Sequence, residues 1–392
     1  MKIKRTQICE QHASWLAINP IIGCANNCRY CFLRPENLNK TKPIQLANPR
    51  ETINKLLQSK YYNPNIPVAI GTRTDMFGTI KNRNYSERFL NEWEFRKIQN
   101  TLIFITKCKI PNSILRKVMK MQKTNFKFIF FLSYSGLDNT IELGINHTDL
   151  RNNFKCLKKV GIPVVHYWRP FIPQNSYKEK IEDMLGYVSK YANASIVAGL
   201  RMTAKMINQF GFWTELQKMD IDFVKVEQIF PSNAIDNLKK VIPTYKTYPI
   251  LYATSCAVAN SLKIPEYNGV FNTRVCKKSS CTNKQREICS KFHAKHRPTN
   301  IEIDKVLEGY RISEARNIDN LKPFLYMNNP AESRYTLKPP SGESLLEVSQ
   351  RILFFLQKLS ANIVPTHRPI LIITHGSILR AVNGRLKGID AQ

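Results

Sequence analysis

The sequence is short of acids. Its 392 residues carry 59 Lys and Arg against 29 Asp and Glu, a formal net charge of +30. No run approaches roughly 18 consecutive apolar residues, which excludes a membrane-spanning helix. The opening stretch, MKIKRTQICEQHASW, is basic but has no apolar core of the kind a secretory signal needs. Both absences point to the cytoplasm as the expected compartment, where thiols stay reduced. A disulfide framework is then a poor use for the ten cysteines. Metal ligation or redox chemistry is a better one. The length allows one large domain or two medium ones, each with a real core.

Three of the cysteines fall within eight residues. GCANNCRYCF (23–32) places Cys24, Cys28 and Cys31 in a C-x3-C-x2-C pattern, without a fourth ligand nearby. A structural zinc site is normally closed by four ligands, so zinc would have to recruit a distant one such as His12. Three thiolates on one tight loop suit a cubane iron–sulfur cluster, which takes one thiolate per iron and here leaves the fourth iron open. The motif resembles that of the radical S-adenosylmethionine superfamily, including an aromatic, Tyr30, before the last cysteine. The resemblance implies a [4Fe–4S] cluster on Cys24, Cys28 and Cys31. It implies S-adenosylmethionine chelated to the open iron through its amino and carboxylate groups, and reductive cleavage to a 5′-deoxyadenosyl radical. It also implies a reductant such as flavodoxin or ferredoxin as a partner.

Extended apolar runs recur along the chain: WLAINPII (15–22), IPVAIGT (66–72), TLIFITK (101–107), FKFIFFLS (126–133), IPVVHYWRP (162–170) and ASIVAGL (194–200), with IDFVKVEQIF (221–230) as one more. Between them RETINKLLQSK, NSILRKVMKM, RNNFKCLKKV and KEKIEDMLGYVSK have helical periodicity. Continuous apolar strands alternating with helices predict an α/β fold with a parallel sheet covered on its outside. The superfamily resemblance makes this a partial (β/α)6 TIM-type barrel, with an open Rossmann-like sheet as the alternative. The cysteine loop follows the first strand, where barrel active sites are built.

The same rule selects residues just past the strand ends as the cofactor side. Thr72, Thr74 and Asp75 in GTRTD (71–75) can receive ammonium or ribose groups, as can Ser133 and Ser135 in SYS. Arg169 can pair with the methionyl carboxylate. Hydroxyls at strand ends also cap helices. Within the superfamily the resemblance is closest to the spore photoproduct lyase-like branch, described as DNA repair photolyases. GCANNCRYCF, GTRTDMFG, ITK and WRPFIP carry it, over roughly residues 15–230. One position departs from the pattern. Where that lyase has a hydrogen-donating cysteine before a T-x-D-like turn, this chain aligns Thr72, and a hydroxyl is a poor hydrogen-atom donor. The resemblance therefore supports the fold and the radical chemistry but not repair of that lesion. Cys108 and Cys156 are candidate replacements, with buried inert thiols as the alternative.

Charge bears on the partner. Residues 301–392 hold 12 basic and 9 acidic residues, so the first 300 carry 47 and 20, a net of +27. A domain this basic attracts polyanions, and nucleic acid is the expected substrate class. ILRKVMKMQKTNFKF interleaves Lys and Arg with aromatics in a way that suits phosphate contact and base stacking. The alternative is a lysine-rich composition with an ordinary solvated surface. A second cysteine set follows: Cys256 in TSCAVAN, then Cys276, Cys281 and Cys289 in VCKKSSCTNKQREIC. Four thiolates suit a second iron–sulfur cluster or zinc. Cys9 has no assigned role.

The tail differs in style. RYTLKPPSGESLLEVSQRILFFLQKL contains a capping box at Ser344 and Glu347. An amphipathic helix follows, with Leu345, Val348, Ile352, Phe355 and Leu359 on one face. GES and THG resemble motifs of the histidine phosphatase (phosphoglycerate mutase-like) family, over roughly residues 303–392, about the C-terminal half of such a domain. His375 matches that family's second histidine. Its nucleophile sits in an Arg-His-Gly turn, and no R-H-G occurs in this chain. KHR at 295–297, with His296, lies in linker-like sequence, so no phosphatase activity is expected of this segment. The domains read as a barrel over 1–235, a Cys-rich extension over 236–295 and a partial phosphatase-like segment over 301–392. The expected function is a radical enzyme acting on nucleic acid by repair or modification, of lyase or oxidoreductase type. Radical tailoring of a peptide or small molecule, and a non-catalytic zinc-bearing nucleic-acid-binding protein, are the alternatives.

Overall fold

The structure is a computed structural model that describes residues 8–12, 14–39, 41–59, 61–202, 227–231, 233–266, 270–272, 274–295 and 345–362. The chain divides into two compact units, Met1–Phe292 and His293–Gln392. The first is built on an eight-stranded sheet. In chain order its strands are β1 (Cys9–Gln11), β2 (Leu16–Ile18), β3 (Val68–Ile70), β4 (Leu102–Thr106), β5 (Phe128–Leu132), β6 (Val164–Trp168), β7 (Ala194–Val197) and β8 (Ile250–Leu251). They lie side by side in that same order. β1 is antiparallel to β2 and every other neighbouring pair is parallel. This order decides between the two expected architectures. A Rossmann-type sheet reverses its growth at a switch point, whereas a barrel adds each strand beside the last. The fold is α/β with an open, partial-barrel sheet.

Helices occupy the crossovers: α1 (Pro49–Leu57), α2 (Ile80–Phe95), α3 (Asn112–Gln122), α4 (His147–Lys159) and α5 (Lys178–Val188). Their starts are written locally. Asn48 and Glu51 form a reciprocal capping box ahead of α1, with both bonds at 2.9 Å and Pro49 in the first turn. Thr79 caps α2 and Asn146 caps α4, each side chain accepting from the backbone amide three residues on. The strands then bury both faces. In β5, Phe128, Phe130 and Leu132 join Phe89, Trp93, Val118 and Phe154 of the helices. Its alternate residues Ile129 and Phe131 join a second cluster with Ala17, Ala69, Val165 and Ile196. That period-2 division of wholly apolar strands is what a sheet covered on both sides requires.

The described part of the strand expected at 221–230 lies outside the eight-stranded sheet. That part is residues 227–230, of which Glu227–Ile229 pairs antiparallel with Leu200–Met202 as a separate ribbon. The eighth strand is β8, from the segment read as a Cys-rich extension, parallel to β7. After the ribbon, α6 (Ala234–Val241) packs on α5. Helix α7 (Thr254–Leu262) covers the second apolar cluster with Ala257 and Val258. Two further helices, α8 (Arg274–Lys278) and α9 (Asn283–Lys295), follow.

A histidine lies inside this core. His166 of β6 is fully buried, between the Tyr134 carbonyl and the Ser195 hydroxyl, each at 2.8 Å. The carbonyl can only accept, so Nε2 carries the proton and Nδ1 accepts from Ser195. Tyr248 is 3.0 Å from Ser195 and extends the chain. Burial pushes the imidazole down to about 4. The unfolded chain takes up this proton near pH 6.5, so between there and about pH 4 the unfolded state binds more protons and stability falls as the pH is lowered. Lowering the pH from 7.5 to 5.0 should remove about 2 kcal/mol through this residue alone. Urea midpoints at the two pH values should show a smaller difference in His166→Gln than in the wild type.

In the second unit the described element is α10 (Leu345–Asn362), the helix expected there. Phe355, expected on its buried stripe, is 53% exposed. Ser344, His375 and His296 lie outside the described residues. Among the described residues no helix is long and apolar enough to cross a membrane.

Candidate functional site

The three-cysteine loop leaves the sheet just beyond β2 and is fastened at several points. Gly23 has a φ of +86°, and a Cβ there would meet Thr41 Oγ1 at 2.8 Å, so the loop's entry requires glycine. The Cys24 amide donates to the Leu38 carbonyl at 2.8 Å, and Thr41 donates back to Cys24 at 3.0 Å. Asn27–Cys28 pairs antiparallel with Glu142–Leu143. The Cys31 amide closes a turn on the Cys28 carbonyl at 3.2 Å. Cys28 is buried; Cys24 and Cys31 are partly so.

The thiols are within electrostatic reach of one another. Burial pushes Cys24 up to about 12, reinforced by the Asp75 carboxylate. Burial likewise raises Cys28 and Cys31, while Lys107 works against it at both and Arg169 at Cys31. Without a guest all three are therefore protonated at neutral pH, and metal ligation would release the protons. Among the described residues no three His, Cys, Asp or Glu side chains are gathered closely enough to hold a single metal ion. A cubane does not ask for that, since each thiolate binds a different iron. The donor set fits a cluster better than a lone zinc.

Behind the loop lies a buried polar network that the sequence reading missed. Tyr30 donates its hydroxyl to Glu142, which is fully buried. Lys107 reaches Glu142 Oε1 at 2.7 Å and the Ser133 carbonyl at 2.8 Å, with its ammonium 5.5 Å from the Tyr30 ring centre. Burial alone would lower Lys107, but the Glu142 carboxylate, with Cys28 and Asp75 acting in the same direction, outweighs it, and the ammonium sits above its ordinary value. His147 Nε2 is 3.7 Å from Glu142 Oε2. Lys107 stands in ITK directly after β4, so the strand-end rule could have found it. Glu142 stands in a two-residue strand between β5 and α4, and no local pattern marks it.

The expected cofactor-side residues gather at this end of the sheet, and several already serve the protein. Asp75 Oδ1 accepts from Thr106 Oγ1 at 2.8 Å and from the Phe77 amide at 3.0 Å, while Oδ2 accepts from the Lys107 amide at 2.8 Å. Thr74 donates to the Gly23 carbonyl at 2.6 Å and Thr72 to Asn19 at 3.1 Å. The Ser135 hydroxyl accepts from the Leu137 amide at 3.2 Å, and Ser133 is buried. Tyr30 is committed to Glu142 as described. Arg169 differs. Its Nη1 donates to the Tyr167 hydroxyl at 3.0 Å, but Nη2 is buried without a hydrogen-bond partner. The guanidinium lies 5.8 Å from the centre of the Phe32 ring, and Arg201 lies 5.6 Å from the same ring. Cys108 contacts Asn26 of the loop at 3.6 Å, whereas Cys156 is exposed on α4. Burial raises the Cys108 thiol well above its ordinary value, so it keeps its proton.

The basic stretch over α3 needs a correction. Phe126 and Phe128 are buried in the core, because they lead into and begin β5, and so cannot stack on bases. Arg116, Lys120, Lys123 and Lys127 remain exposed.

Comparison with known proteins gives two separate findings. Residues 301–392 match the model of the Histidine phosphatase superfamily (branch 1). Among solved structures, the chain is similar to a spore photoproduct lyase variant with bound AdoMet and dinucleoside spore photoproduct. That match has 13% identity and a TM-score of 0.47, over 62% of this chain and 77% of that one. It is also similar to Streptococcus suis SuiB bound to S-adenosylmethionine, at 14% identity and a TM-score of 0.42, over 65% of this chain and 54% of that one. No curated protein is matched.

Proposed function

We propose that the protein is a radical S-adenosylmethionine enzyme acting on nucleic acid. The observation that carries the radical half is the three-thiol loop at the C-terminal edge of a sequentially ordered parallel sheet. Cys24, Cys28 and Cys31 would hold a [4Fe–4S] cluster that, with S-adenosylmethionine, supplies reductive cleavage of the sulfonium to a 5′-deoxyadenosyl radical. The chain's own residues then bind and orient. The unpartnered Arg169 Nη2 supports a role in holding the methionyl carboxylate. Lys107 places a fixed positive charge beside the thiols, which favours their ionised form. Asp75 ties the turn after β3 to the start of the loop after β4 and keeps the two in register. Cys108 retains an S–H bond next to the cysteine loop, the form a hydrogen-atom donor needs.

The substrate half rests on charge. The net of +27 over the first 300 residues and the exposed row Arg116, Lys120, Lys123 and Lys127 suit a polyanion. Reconstituted, reduced protein should release more 5′-deoxyadenosine when a labelled oligonucleotide is added. If those four side chains each meet a phosphate, binding should weaken about a hundredfold between roughly 50 and 200 mM salt. Absence of binding at low salt, with turnover stimulated by a peptide or metabolite instead, would transfer the proposal to radical tailoring.

A further inference from the structure

Far along the chain from the first motif, four cysteines converge on one cavity. Cys256 of α7, Cys276 of α8, Cys281 of the following loop and Cys289 of α9 line it together with Leu251, Glu266, Gln285 and Arg286. The cavity has a volume of about 20 Å³, room for an ion-sized guest or slightly more before the walls move. No two of the ten cysteines, all within the described residues, are joined in a disulfide. We propose that Cys256, Cys276, Cys281 and Cys289 form a second, tetrathiolate site for a soft metal centre.

Two features beyond the cysteine count support a built site. The first is hydrogen bonding to sulfur. Cys289 Sγ accepts from the Glu266 amide and from Gln285 Nε2, both at 3.4 Å. Such N–H donors lower the cost of a buried thiolate and fix its direction. The second is a clamp. Arg286 donates from Nε to the Cys281 carbonyl at 3.2 Å, and from Nη2 to the carbonyls of Cys276 and Ser279 at 3.3 and 3.0 Å. One guanidinium thus holds the whole Cys276–Cys281 turn and supplies a positive charge to a site whose four thiolates carry excess negative charge. Ser280 fastens the same turn to β8 by donating its amide to the Ile250 carbonyl at 3.0 Å.

Among the described residues no three His, Cys, Asp or Glu side chains stand at single-ion chelating distance, so either guest, one zinc or a cluster with one thiolate per iron, requires the walls of this small cavity to adjust around it. Such a cluster would be saturated by protein and would leave no iron open. It suits electron transfer or scaffolding rather than cofactor binding.

The proposal is independent of the radical reading and is tested separately from it. The triple variant Cys24→Ala/Cys28→Ala/Cys31→Ala of the full chain, purified anaerobically with iron and sulfide, should retain metal. About four iron with matching sulfide would mean a cluster, and about one zinc a closed zinc site. Either result supports the second site. Adding Cys276→Ser and Cys281→Ser should remove that metal. A metal-free triple variant, or metal that survives the two added substitutions, overturns the proposal. The wild type guards against a variant that fails to fold. It should hold about four iron or about one zinc more than a Cys276→Ser/Cys281→Ser variant of the otherwise wild-type chain; equal metal content in the two overturns the proposal as well.

Discussion

Cys28→Ala, reconstituted with iron and sulfide and reduced anaerobically, should release at least about a hundredfold less 5′-deoxyadenosine than the wild type. The substitution removes one of three thiolates from a centre that has no spare protein ligand in its loop. It leaves the backbone pairing of Cys28 with Glu142 in place, because that pairing uses no side-chain atom. Loss of one small buried side chain costs about 1 kcal/mol, so the variant should fold. Arg169→Ala gives the contrasting result. Its guanidinium touches rings and the Tyr167 hydroxyl but supplies no ligand to metal. Iron content should stay at the wild-type level, while the S-adenosylmethionine concentration for half-maximal cleavage should rise about tenfold or more. A colourless wild-type protein holding only stoichiometric zinc would sink the radical reading and promote a metal-bearing binding protein in its place.

The parts of this architecture legible in the sequence are those governed by short-range rules. Strand β5 is a five-residue apolar run with Gly136 and Lys-rich helices about it, and it could hardly be read otherwise. The capping pair Asn48 and Glu51 and the stripe Ile114, Val118 and Met121 mark α1 and α3 in the same direct way. Helix α2 went unread because its core face is mixed. Asn82 and Ser86 are buried among Tyr85, Phe89 and Trp93, where they bind the Asp75 and Met76 carbonyls, so the apolar period looks broken. Strand β8 went unread because two residues carry no period at all. At the candidate site the cysteines were visible by spacing and Arg169 by its place after β6. Glu142 was not. It meets Tyr30 and Lys107 across separations of 112 and 35 residues, and only the assembled fold brings them together.

That unforeseen carboxylate should carry the largest effect on stability. Glu142 is fully buried and Lys107 is 13% exposed, so their contact at 2.7 Å is a desolvated ion pair. Both charges gave up hydration on folding, and each depends on the other for compensation. In Glu142→Ala the ammonium of Lys107 keeps its hydrogen bond to the Ser133 carbonyl but loses its counter-charge, and the Tyr30 hydroxyl loses its acceptor. The expected cost is about 3–5 kcal/mol, the range for removing one partner of a buried pair. The double variant Glu142→Leu/Lys107→Met removes both charges and replaces them with apolar volume. It should recover most of the loss, to within about 1–2 kcal/mol of the wild type. Urea unfolding of the wild type, Glu142→Leu, Lys107→Met and the double variant measures the coupling directly. A Glu142→Ala variant as stable as the wild type would show that water reaches Lys107 and that the pair is not desolvated. If the double variant recovers stability yet fails to bind iron, the charge of Lys107 is needed beside Cys28 and Cys31. If it binds iron normally, the pair serves the fold and the thiols ionise without it.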